Sequence, residues 1–132
     1  MNYSQGKIYK IVDNTTDNIY IGSSCQNQLR KRLQQHVSDY KRYIEGKKGN
    51  CTSFDIIKNG NYDIILIEEY PCMNKMQLHK RESYKNWRNN NIEHIKQYRK
   101  DNRERKQMLE NKRRKFKRDC DYLCCIDISI FQ

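Results

Sequence analysis

The sequence predicts an α+β domain followed by a long basic helix. Three observations carry that reading. Two β-branched, tyrosine-bearing segments stand at hairpin spacing near the N-terminus, amphipathic helical spacing follows them, and a strongly cationic stretch fills most of the last third. The chain has 132 residues, which suits one core-forming domain rather than two.

The elements follow in order. Residues 7–13, Lys-Ile-Tyr-Lys-Ile-Val-Asp, read as a strand, Asn14 to Asp17 as a turn, and residues 18–22 as a second strand. Leu29, Leu33, Val37, Tyr40 and Ile44 recur at helical spacing between Gln28 and Glu45. A loop at residues 46–50 leads to a short helix through Phe54 and Ile57, with Thr52 or Ser53 as its cap and Asn59-Gly60 as its end. Tyr62 to Tyr70 is a third strand; its run Ile64-Ile65-Leu66-Ile67 predicts a central position buried on both faces, and Pro71 stops it. Asn74 and Gln77 have the spacing of a capping pair and open a helix through Leu78 and Glu82.

Past Trp87 the composition changes. Residues 87–118 hold 13 Lys/Arg against four Asp/Glu, a net of +9, whereas residues 1–86 hold 14 against nine, a net of +5. No proline or glycine interrupts the stretch, and Asp101–Arg105 and Glu110–Arg114 are spaced as supporting i,i+4 pairs, so a solvated helix is expected. The domain plan is therefore residues 1–91 as the folded body, 92–118 as a basic helical extension and 119–132 as an apolar, cysteine-containing tail. That tail reads either as a late strand or as a terminus without an evolved role.

The net charge of +11 favours phosphate-rich partners through counterion release. Part of the lysine content has a second explanation. The chain has no alanine and many Lys, Asn, Ile and Tyr, the bias of an AT-rich coding sequence. No apolar run reaches the roughly 20 residues of a membrane span, and Met1 to Gly6 lacks the apolar region of a secretory signal. The expected setting is intracellular, cytoplasm or nucleus, with reduced thiols. Cys120, Cys124 and Cys125 with His94 or His79 are spaced poorly for a zinc site, and free thiols are the favoured reading.

If Asp13 pairs with Asn18, then Ile11 faces Tyr20 and Tyr9 faces Gly22. Tyr9 and Tyr20 then share one sheet face as diagonal neighbours, roughly 7 Å apart. Gly22 leaves open space beside the Tyr9 hydroxyl, and Ile8, Val12, Ile19 and Ile21 take the opposite face as the core. On the following helix Arg32, His36 and Tyr43 lie along one flank, with Arg32 and His36 a turn apart.

These pieces together resemble the GIY-YIG nuclease domain: Lys7-Ile8-Tyr9, Tyr20-Ile21-Gly22, Leu29-Arg30-Lys31-Arg32-Leu33 with His36, and Arg81-Glu82-Ser83-Tyr84. Residues 62–70, Pro71 and the Glu82 helix match the family's third strand and last helix, so the resemblance covers about residues 6–86. It implies a small three-stranded antiparallel sheet flanked by helices. It also implies metal-dependent endonuclease activity, the hydrolysis of a DNA phosphodiester with one divalent ion, Mg²⁺ or Mn²⁺. By the same resemblance Tyr9 is the general base or its relay, and Tyr20 orients water or phosphate. Arg32 stabilises developing charge, His36 joins the proton or phosphate network, and Glu82 holds the metal. Arg30 is a rival for the arginine, and Asn89, Asn90 and Asn91 are candidates for a downstream asparagine.

Such residues suit the chemistry. Phosphodiester hydrolysis needs an in-line nucleophile and neutralised charge, which a placed arginine and a metal supply. A free phenol has a pKa near 10, so nearby positive charge or a proton relay is needed for it to serve as a base. Candidate DNA contacts are Arg30 and Lys31 on the first long helix, and Arg99, Arg103, Lys112, Arg113, Arg114 and Lys115 on the basic one. The competing expectation is a non-enzymatic nucleic-acid-binding protein on a degenerate scaffold; an additional protein partner fits either.

Overall fold

The computed structural model describes residues 1–130. A single 3-10 turn at Tyr3–Gln5 leads into β1 (Lys7–Asp13), β2 (Ile19–Ser24), α1 (Leu29–Ile44), α2 (Phe54–Ile57), β3 (Tyr62–Glu69), α3 (Lys75–Asn90) and α4 (Ile92–Ile130). The three strands form one antiparallel sheet in the order β2-β1-β3. The chain divides into two compact units, Met1–Asn90 and the segment beginning at Asn91. Among the described residues, no helix is long and apolar enough to cross a membrane.

The hairpin has the expected register. Asp13 N–H donates to Asn18 O at 2.9 Å, Ile11 faces Tyr20, and Tyr9 faces Gly22. The turn is locked by the buried Asp13 carboxylate, which accepts from Thr15 N–H at 2.8 Å, Thr16 Oγ1 at 2.8 Å and Asn59 Nδ2 at 2.5 Å. Asp17 takes a positive φ of 58°, which an aspartate in a turn tolerates. Thus one side chain ties the first hairpin to the loop after α2.

The placement of β3 corrects the expectation. It is an edge strand, with Ile65 and Leu66 45% and 43% exposed, and β1 is the central one. β1 has strands on both sides and helices on both faces, so Ile8, Tyr9 and Ile11 are all 0% exposed. Its tyrosine and lysines disguise this in sequence. A bulge shifts the β1–β3 register between Ile8 and Tyr9: Ile8 faces Glu68 while Tyr9 faces Leu66. The additional residue, Ile67, packs into the Ile8 cluster.

The core therefore lies on both sides of the sheet, not on one. Ile8, Ile21 and Leu78 pack together on the α3 side, with Tyr3, Ile67 and Tyr70 around them. Tyr9, Ile11 and Ile56 pack on the other side, against Tyr20, Leu29, Leu33 and Ile64. Of the isoleucines expected in the single core, Ile19 is exposed. The Tyr9 face is covered because α1 and α2 close over it.

The helices show where local signals hold. Gln77 N–H donates to Asn74 Oδ1 and Met73 N–H to Gln77 Oε1, both at 3.0 Å, so the capping pair forms as expected. Ser53 precedes α2 but makes no side-chain cap bond. α3 continues past Trp87 to Asn90, and α4 starts after Asn91, so the helix boundary lies later than the change in composition. The Glu110–Arg114 pair forms at 3.3 Å, whereas Asp101 is taken by Gln97 Nε2 at 2.7 Å. The tail expected as a possible late strand is helical through Ile130; its last two residues lie outside the described ones. All six cysteines are free, and among the described residues no three His, Cys, Asp or Glu side chains are grouped to hold a metal.

Candidate active site

The pleat places Tyr9 and Tyr20 on the same side of the sheet, as adjacent strands with diagonal positions require. Their ring centroids are 6.4 Å apart. Gly22, directly opposite Tyr9, has no room for a side chain. A Cβ there would stand 2.8 Å from both Tyr9 Oη and Tyr20 Cε1. The space expected beside the hydroxyl is thus filled by the two rings, and glycine is what allows them to approach.

α1 brings two further groups down onto this face. His36 is the one buried residue of α1 and meets Tyr9 Oη through Nε2 at 2.7 Å. Its ring also lies edge-on to Tyr20, with centroids 5.3 Å apart. Arg32, one turn earlier, donates from Nε to Tyr9 Oη at 3.0 Å and from Nη1 to Gln35 Oε1 at 2.7 Å. Gln26 Nε2 donates to the same Gln35 oxygen at 3.2 Å, which holds that end of the guanidinium's support in place. On its far side His36 Nδ1 lies 3.0 Å from Ser53 Oγ.

Glu82 arrives from α3. Ser23 follows Gly22 on β2 and points to the α3 side, where its hydroxyl donates to Glu82 Oε2. The carboxylate lies near enough to bear electrostatically on both phenols. Asn86, one turn beyond Glu82, approaches the same strand, with Nδ2 3.5 Å from Ile21 O. A cleft of about 340 Å³ opens beside Ser23 and Arg32, and Gln26, Gln35, Lys75 and His79 line its walls.

The electrostatics follow from burial. Desolvation raises the Tyr9 pKa, with Arg32 opposing it through charge and hydrogen bond and Glu82 adding a smaller upward push. Burial raises Tyr20 well above the ordinary phenol range, and the neighbouring Tyr9 adds to it. Burial first and Arg32 second lower His36 to about 4. Both phenols and the imidazole are therefore neutral at pH 7.

The five expected site residues are brought around β2 and the first turns of α1: Tyr9, Tyr20, Arg32 and His36 on one face, Glu82 from the other side of the Gly22–Ser23 link. Arg32 and not Arg30 reaches Tyr9; Arg30 and Lys31 are exposed. Tyr43 does not join the flank but packs on Phe54 and Tyr40. Ser23, Gln35, Ser53 and Asn86 escaped the sequence reading. Asn86 had a signal, its i,i+4 spacing from Glu82. Ser53 was hidden by its capping position.

The sequence matches the family model described as the GIY-YIG catalytic domain over residues 5–94. No curated protein is matched by the chain. Among solved structures, a variant of the catalytic domain of intron endonuclease I-TevI superposes with a TM-score of 0.47 at 23% identity, covering 64% of this chain and 81% of that one. The family match spans more than half of the chain and includes both tyrosine strands, the Arg32 helix and the Glu82 helix, so the protein belongs to the GIY-YIG nuclease family.

Proposed function

We propose that the protein is a DNA endonuclease that hydrolyses phosphodiester bonds with the help of one divalent ion. The observation that carries this reading is the double engagement of a single buried phenol: Tyr9 Oη meets Arg32 Nε at 3.0 Å and His36 Nε2 at 2.7 Å.

Tyr9 is protonated at neutral pH, so it works as a relay and not as a standing phenolate. Its oxygen takes a proton from the attacking water as its own proton passes to His36 Nε2. A bound phosphate favours the transfer, because its negative charge supports the imidazolium that forms. Arg32 faces the same point and stabilises charge developing on the phosphoryl oxygens. Tyr20, neutral and beside Tyr9, orients water or phosphate through its hydroxyl.

Glu82 fits a metal role. It offers one hard carboxylate, with the Ser23 hydroxyl on one of its oxygens. With no larger acidic cluster among the described residues, the donor set suits a single Mg²⁺ or Mn²⁺ that keeps most of its waters, not a multi-carboxylate cage. When bound, such an ion supplies Lewis-acid neutralisation of phosphoryl charge. Arg99, Arg103, Lys112, Arg113, Arg114 and Lys115 lie exposed on α4, and Arg30 and Lys31 on α1, as contacts to phosphates of the duplex.

The test is supercoiled plasmid with purified protein and Mg²⁺ or Mn²⁺. Wild type should nick or linearise it, and Glu82→Ala should bind DNA without cutting. Binding without cleavage by the wild type in both ions would replace this reading with the non-enzymatic one.

A further inference from the structure

Ser53 has no part in the reaction just described. It is 0% exposed and stands at the entrance of α2, where a serine ordinarily caps the helix. Its hydroxyl makes no cap bond there. It lies instead 3.0 Å from His36 Nδ1 and 3.4 Å from Cys51 Sγ. Its contact with His36 is long-range and reaches the site.

Counting hydrogens around His36 shows what that bond does. A guanidinium only donates, so Arg32 Nε–H points at Tyr9 Oη. The Tyr9 hydroxyl, on a residue 0% exposed, then needs an acceptor for its own hydrogen, and His36 Nε2 is in place at 2.7 Å. Nε2 must then hold a lone pair. In a neutral imidazole the hydrogen sits on Nδ1, and Ser53 Oγ accepts it. The Ser53 hydrogen is left to point at Cys51 Sγ. The other tautomer sets a hydrogen on Nε2 against Tyr9. The buried phenol would then have no acceptor within this network, and an unmade hydrogen bond on a buried donor is costly.

We propose that Ser53 is a positioning residue of this active site, holding His36 in the Nδ1–H tautomer with its Nε2 lone pair aimed at Tyr9. The proposal rests on the relay through Tyr9 and His36. It adds that the direction of proton flow is set from behind the imidazole, by a residue that touches neither substrate nor metal. The same logic governs metal-bound and catalytic histidines, whose reactive nitrogen is determined by what the other nitrogen bonds.

The experiment is ¹⁵N NMR of histidine-labelled protein at neutral pH, with plasmid cleavage measured in parallel. The wild-type spectrum should show His36 protonated at Nδ1, and Ser53→Ala should lose that single form. Cleavage by Ser53→Ala should fall about 10–100-fold in kcat with KM unchanged. A wild-type His36 protonated at Nε2 would overturn the proposal without needing any variant to fold. Wild-type-like turnover by Ser53→Ala would overturn it as well. Should the wild type cleave nothing, the nuclease reading itself fails, while the tautomer still decides whether Ser53 sets the imidazole.

Discussion

Arg32 Nε lies 3.0 Å from Tyr9 Oη, so a charge on the first long helix is aimed at the one buried phenol of the central strand. Arg30, two residues earlier, is exposed. The pair separates a site arginine from a surface one. Arg32→Ala should lower cleavage about 100–1,000-fold, the usual cost of losing a group that stabilises transition-state charge. Arg30→Ala should leave kcat within about twofold and act, if at all, on DNA affinity. Plasmid turnover for the two variants checks this, and equal losses would mean that Arg32 has no special position.

Gly22→Ala tests the packing that brings the phenols together. Its Cβ would stand 2.8 Å from Tyr9 Oη, on a fully buried ring with little freedom to retreat. Overpacking of this kind costs about 1–3 kcal/mol. The variant should melt earlier than wild type and lose most cleavage. Gly49→Ala, where a Cβ meets nothing within 4 Å, is the control and should do neither.

Acid should destabilise the fold in two stages. His36 is held at about 4, below its usual 6.5, so the unfolded chain binds the proton more readily. Its neutral form therefore contributes stability that is complete above pH 6.5 and is lost as pH falls to about 4, on the order of 3 kcal/mol at most. Asp13 is lowered from 3.8 to about 2, first by the Asn59 hydrogen bond and then by Thr15, and its contribution is lost between those values. Denaturant titrations from pH 7 to pH 2 should show both losses. His36→Gln should flatten the upper one and leave the lower.

The basic face of α4 makes a prediction about salt. Replacing Lys112, Arg113, Arg114 and Lys115 by alanine should weaken DNA binding and reduce the slope of log K against log salt, by about 0.9 for each phosphate that is no longer neutralised. Arg113 and Arg114 also face Glu110, which partly offsets their charge. The slope should therefore fall by less than the equivalent of four phosphates. An unchanged slope would make the segment a solvated helix without a DNA role.

Much of this site was legible in the sequence because strand alternation and turn length determine which residues share a face. Tyr9, Tyr20 and Gly22 were placed correctly by register alone. The helix spacing of Arg32 and His36 worked for the same reason. What failed were inferences from apolar content. Ile64 to Ile67 read as central, yet centrality belongs to the strand with two partners, and β1 hides it behind Lys7, Tyr9 and Lys10. Ser53 was misread because its local role as a cap and its tertiary role at His36 are indistinguishable before the fold is known. The tail from residue 119 was illegible for a different reason. Through Ile130 it continues α4 as helix, although its isoleucines and cysteines carry no clear helical signal.

The most direct measurement is metal-dependent cleavage of plasmid DNA by wild type and by Tyr9→Phe, with binding and melting temperature followed on the same samples. Removing one hydroxyl should lower turnover about 100–10,000-fold, the span of general acid–base catalysis, while DNA binding is kept. Loss of cleavage with the fold retained is the result the proton relay demands. A Tyr9→Phe protein that cuts DNA as fast as the wild type would contradict it.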